Sequence, residues 1–168
     1  DPVGDVGYST GSTAAPPYRD IVSAEIRQKD GVFTFSMELA APVPERPDLP
    51  PGVKLLWWDW TWSNDLSFIA AGYPFPPGFF SHGMFYLNVI WDGTSFSGSF
   101  IDRRPLLTGG APLEVAVPFS VERGVPRAFV DASLFDNPST FRFFIQTWDW
   151  PAVAELGSFS YFQVDVAP

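Results

Sequence analysis

Proline and glycine punctuate this chain from end to end. Its 168 residues include 18 Pro and 14 Gly. Proline removes a backbone donor and clashes with the preceding helical turn, and glycine weakens a helix entropically, so long helices are disfavoured. What remains between these residues is a series of short runs, several of which alternate. In "GVFTFSMEL", Phe33, Phe35, Met37 and Leu39 fall on one face, and Thr34, Ser36 and Glu38 on the other. A period of two is the signature of a half-buried strand. "FYLNVIWDG" groups Phe85, Leu87, Val89 and Trp91 and then turns at Asp92-Gly93. With "TSFSGSFIDRR" behind it, Tyr86–Ile101 reads as a hairpin.

Further strands are expected from "RDIVSAEIRQKDG", which turns at Asp30-Gly31, and from "LEVAVPFS", "RAFVDASLF", "FRFFIQTWDW" and "FSYFQVDV". "DASLFDNPS" can hold a single helical turn over Asp131–Leu134. Two stretches, 41–52 and 63–83, read as long loops, and residues 1–20 as a loop-like N-terminal segment rich in Gly, Ser and Pro. About eight to ten short strands with frequent turns, and little or no helix, predict an all-β chain: a single antiparallel β-sandwich, jelly-roll-like, spanning 1–168.

Composition narrows the function classes. A hydrophobic fraction of 46 % supports a real core. The net charge of −9 argues against nucleic acid and against anionic membrane surfaces, both of which need a basic field. No apolar run is long enough for a membrane helix. With no Cys and one His, disulfides, a Cys nucleophile and a zinc site are not expected. The chain begins at Asp1 without an initiator Met. The expectation is a processed or trimmed domain, extracellular or at the cell surface, whose leader is gone.

The densest feature is "LLWWDWTW", Leu55–Trp62, echoed by "TWDW" at Thr147–Trp150. In a strand, Leu56, Trp58, Trp60 and Trp62 share one uniformly apolar face, and Leu55, Trp57, Asp59 and Thr61 the other. In the later segment Phe141, Phe143, Ile145, Thr147 and Asp149 share one face, and Arg142, Phe144, Gln146, Trp148 and Trp150 the other. Both faces of one strand cannot enter a two-layer core. Either something covers the outside or an aromatic face is exposed. Sugar rings stack their C–H faces on indoles while nearby polar groups bind their hydroxyls. Trp57, Asp59, Arg142, Gln146, Trp148 and Trp150 suit that task if the two strands adjoin. The structural reading is that all seven tryptophans are core.

Asp1 and Asp5 in "DPVGD", with Asp20 in "YRDI", place acids on a Gly-rich loop of the kind calcium can use, although acids in loops also simply cap turns. The order of "DPVGD", "DI", an alternating strand, a Trp-rich strand, "YLNVIWDG" and "FRFF" running to "DVAP" resembles secreted bacterial β-sandwich domains of the DOMON-like group, which includes family 9 carbohydrate-binding modules. The resemblance covers most of the chain. It implies a sandwich of two antiparallel sheets, a sugar, haem or other small ligand, and structural calcium with Asp1, Asp5 and Asp20 as ligands. "WTWSNDLSF" supplies only Asn64 and Asp65 where such domains often carry an Asp-rich turn.

Other constellations are bland. His82 beside Gly reads as a surface residue, and with Met84 two positions away the two cannot be opposite haem ligands. In "IDRRP", Asp102 with Arg103 and Arg104 reads most simply as a salt-bridged strand end; recognition of a ligand carboxylate is the sharper alternative. No Gly-x-Ser-x-Gly setting and no phosphate-cradling loop is present. The reading that results is a non-catalytic, calcium-stabilised binding domain for a polysaccharide or other small ligand. A structural or adhesive subunit that self-associates through its edges is one alternative. A small glycoside hydrolase using the carboxylates of Asp59 and Asp149 is the other.

Overall fold

A computed structural model of the chain describes residues 16–49, 52–63, 84–136, 138, 142–151 and 162–167. These residues form β1 (Ile21–Lys29), β2 (Val32–Leu39), β3 (Val53–Ser63), β4 (Phe85–Trp91), β5 (Phe96–Asp102), β6 (Leu113–Ala116), β7 (Phe119–Ser120), β8 (Arg127–Asp131), β9 (Arg142–Pro151) and β10 (Phe162–Ala167). They build an antiparallel β-sandwich: a four-stranded sheet in the order β1-β2-β8-β7 and a six-stranded sheet in the order β10-β9-β3-β4-β5-β6. Helical structure among the described residues is limited to 3₁₀ turns, one of them Ala132–Phe135 at the expected "DASLF" position. No helix among the described residues is long and apolar enough to cross a membrane.

The turns follow from their residues. β1 and β2 are joined by Asp30 at φ 51° and Gly31 at φ 79°. Two successive positive φ values define a type I′ turn, whose twist matches that of the strands it joins. The β4–β5 hairpin is wider than the Asp-Gly pair implies: Trp91 pairs with Phe96, leaving Asp92–Ser95 as the loop. The Asp92 carboxylate explains the extra length. It accepts from Thr94 N at 2.7 Å, Thr94 Oγ1 at 2.7 Å and Ser95 N at 2.8 Å, supplying the turn's amides with an acceptor. These bonds, the Thr94 hydroxyl foremost, hold the Asp92 carboxyl down at about 2.

"LEVAVPFS", read as one strand, is divided between the two sheets. β6 pairs with β5, whereas β7 pairs with β8. Pro118 breaks the ladder between them and the chain steps across the sandwich edge there. The step is tight against Gly98, where an added Cβ would lie 2.8 Å from Val117 O and 3.0 Å from Phe119 Cβ.

The core is aromatic. β2 contributes Phe33, Phe35 and Met37, all buried, as its alternation predicts. β3 contributes Leu56, Trp58, Trp60 and Trp62, each at 0 % exposure, and β4 contributes Phe85, Leu87, Val89 and Trp91. Trp62 joins the two sheets. Its ring stacks on Phe35 at 4.9 Å, meets Phe135 edge-on at 5.0 Å, and lies 5.5 Å from Phe85 and 5.8 Å from Phe100. Such aromatic pairs contribute beyond the area they bury.

The turn at Pro17–Arg19 docks on the inward face of β3 and β9. Trp58 Nε1 donates to Tyr18 O at 3.2 Å, and Thr147 Oγ1 donates to Arg19 O at 2.8 Å. Trp58 and Thr147 are direct neighbours across the two strands, so one cross-strand pair anchors two successive carbonyls.

Trp62→Ala should cost roughly 3–5 kcal/mol of unfolding free energy, read from urea melts, because a large cavity opens where the sheets meet. Asp92→Ala carries a pH signature. A carboxyl whose folded value is depressed contributes stability above its unfolded pKa and loses it as pH falls through the folded value. The stability gap between the parent chain and Asp92→Ala should therefore be full above about pH 4 and shrink toward pH 2. A gap independent of pH across that window would contradict the Asp92 assignment.

Candidate functional site

The outer face of the larger sheet, turned away from the core, is where the sequence places its candidate ligand residues. β3 and β9 do adjoin, antiparallel and in continuous register from Leu55 onward. Trp57 stands opposite Trp148, Asp59 opposite Gln146, Leu55 opposite Trp150 and Ser63 opposite Arg142. Alternation along the two strands assigns Trp57, Asp59, Arg142, Gln146, Trp148 and Trp150 to one face. The last four are placed by backbone register alone. Trp57 is half-buried, unlike the three core tryptophans between which it alternates. Of the proposed metal ligands, Asp20 is buried at the start of β1, while Asp1 and Asp5 lie outside the described residues, as do Asn64, Asp65 and His82. Among the described residues no cluster of three or more His, Cys, Asp or Glu is assembled for a metal.

Register also separates a pair that sequence proximity to tryptophan suggested. Asp59 faces Gln146, whereas Asp149 faces Leu56. The two carboxylate positions therefore fall on opposite faces of the sheet and are not brought together.

Around Asp59 the outer face carries a set of polar side chains that are buried. Thr61 and Ser63 continue it along β3, Asn88 lies opposite Asp59 on β4, and Ser99 lies opposite Asn88 on β5. Thr61 Oγ1 donates to Asp59 Oδ2 at 3.0 Å, and Asn88 Nδ2 reaches Ser99 Oγ at 3.4 Å. Arg103, also buried, follows Ile101 on the same face and donates from Nη1 to Tyr86 Oη at 2.6 Å. Hydrogen bonds within the cluster offset the cost of burying its polar groups. Asn88 and Ser99 were not singled out from sequence, whereas Arg103 was noted in "IDRRP". The available signal was Asn88 itself, a polar residue in the middle of the apolar run "FYLNVIW".

The "IDRRP" cluster takes its structural form. Arg104 grips the Asp102 carboxylate with Nε at 2.9 Å and Nη2 at 2.7 Å from Oδ2, and also pairs with Asp136. Its guanidinium lies over the Phe85 ring, 4.9 Å from the centroid. This clamp ties the end of β5 to the turn after β8. Arg103 alternates onto the outer face beside Tyr86.

No protein-family model, curated protein or solved structure matches the chain.

Proposed function

We propose that the chain is a non-catalytic binding domain that takes carbohydrate on the outer face of its larger sheet. The observation that carries this reading is the β3–β9 register, which gathers Trp57, Trp148 and Trp150 onto one face with Asp59, Gln146 and Arg142. Indole faces bind the C–H faces of sugars, and carboxylate, amide and guanidinium groups satisfy their hydroxyls. Half-burial of Trp57 fits a ring that is packed on one side and available on the other. The same register speaks against the carboxylate-pair hydrolase, since Asp59 and Asp149 occupy opposite faces. Two of the edge strands, β1 and β6, do not favour assembly through strand pairing. Glu25, Arg27 and Lys29 on β1 are exposed charges, and β6 is four residues long with Pro112 before it and Pro118 soon after.

Titration with soluble polysaccharides should shift the intrinsic tryptophan fluorescence saturably for one glycan class. Trp57→Ala should lose most of that binding with little change in melting temperature. Binding that survives Trp57→Ala unchanged would remove this face from consideration.

Calcium enters the proposal as a structural ion held by Asp1, Asp5 and Asp20, a reading that rests on the N-terminal sequence and its resemblance to the DOMON-like group. A ligand bound only by the native state raises the melting temperature by mass action. EDTA should then lower the melt, and Asp5→Ala should abolish that sensitivity. An EDTA-insensitive melt would end the calcium proposal without touching the carbohydrate one.

A further inference from the structure

The sequence contains Asp-Gly twice, at 30–31 and 92–93, and Asn-Gly nowhere. In Asp-Gly the side-chain carboxyl lies open to attack by the next backbone nitrogen, because glycine has no Cβ to obstruct the approach. Both steps sit in exposed turns, yet the structure treats them differently. The Asp92 carboxylate is occupied. It accepts from Thr94 N and Thr94 Oγ1 at 2.7 Å and from Ser95 N at 2.8 Å, which holds it on the groups beyond Gly93. Gly93 itself is packed: an added Cβ would lie 2.9 Å from Leu49 Cδ1. The other step has neither restraint. Among the described residues no hydrogen bond is made to the Asp30 carboxylate or by the Gly31 amide, and a Cβ at Gly31 would meet nothing within 4 Å.

We infer that the β1–β2 turn is a site of spontaneous isoaspartate formation at Asp30, and that Asp92 is spared. The reaction consumes no reagent but water. The Gly31 nitrogen attacks Cγ of the protonated Asp30 carboxyl. The N–Cγ bond forms, and the acid hydroxyl departs with the amide proton as water, leaving a cyclic imide. Water then opens the ring. Attack at Cγ restores aspartate. Attack at the Asp30 main-chain carbonyl carbon leaves Gly31 linked through Cγ, with the α-carboxylate free and one methylene added to the backbone. Nothing is oxidised or reduced. That methylene enters a turn that Lys29 and Val32 close over two residues, and whose Gly31 carbonyl accepts from Ala132 N at 2.8 Å. The change therefore falls on the hairpin and on the 3₁₀ turn that carries Phe135 into the core. At Asp92 the held carboxylate stays ionised down to about pH 2, which withdraws the acid form that loses water.

The test is peptide mapping of the whole chain after storage in mildly acidic buffer, with isoaspartate located by electron-transfer fragmentation. In the folded chain isoaspartate should accumulate at Asp30 at least ~10-fold faster than at Asp92, because so little of a carboxyl held at about 2 is protonated. In urea the two steps should convert at similar rates, since the bonds that hold Asp92 are gone. Thr94→Ala removes one of those donors. It should raise the Asp92 rate by roughly 3-fold and leave Asp30 unchanged. Asp30→Asn keeps a residue that tolerates the positive φ of 51°. It should pass through the same imide with loss of ammonia in place of water, seen as a gain in intact mass. Equal rates at Asp30 and Asp92 in the folded chain would overturn the inference. So would a folded chain that forms no isoaspartate at Asp30 while the urea-unfolded chain forms it at both steps, or a folded Asp30→Asn chain of unchanging mass.

Discussion

The packing of one strand face underlies the rest of the molecule. Leu56, Trp58, Trp60 and Trp62 project inward from β3, the strand between β9 and β4 in the larger sheet. Once these side chains face inward, period-two alternation directs Trp57, Asp59 and Thr61 outward. A slip of one residue would send every indole of the core to the other side, so the register is held by the full hydrophobic content of the strand. Trp62 then fixes how the sheets meet, through Phe35 of the smaller sheet and Phe135 of the turn after β8. Trp58 does a second task by anchoring the Pro17–Arg19 turn.

The outward face inherits its geometry from that commitment. The β3 register with β4 and β9 decides which residues become neighbours: Asn88 beside Asp59, and Gln146 on its other side. The polar residues Asp59, Asn88 and Ser99, each opposite the next, are all buried. The side chains on this face are held by rigid strands, which positions them better than loop residues of the same chemistry would be.

Much of this was legible in the sequence because alternation is a local signal. The buried set Phe33, Phe35 and Met37, the turn at Asp30-Gly31, the 3₁₀ turn after Asp131 and the inward face of "LLWWDWTW" can all be read from neighbours a few residues apart. Less legible was anything that depends on which strands adjoin. That "LEVAVPFS" crosses between sheets is a consequence of Pro118 and of close packing against Gly98, and packing is invisible in one dimension. The four-residue loop after Trp91 depends on one carboxylate serving several donors at once. Asn88 and Ser99 acquire meaning only through register with residues far along the chain. The placement of Asp149 across the sheet from Asp59 likewise needed the pairing of β3 with β9.

The most direct check on the assignment of faces is hydroxyl-radical footprinting of the folded chain, with oxidation located residue by residue by mass spectrometry. The account predicts that Trp57 is oxidised well ahead of Trp58, Trp60, Trp62 and Trp91, all of which are buried while Trp57 is partly exposed. Oxidation of Trp58, Trp60 or Trp62 as fast as Trp57 would mean that β3 does not present the faces described, and the core and the carbohydrate proposal would fall together.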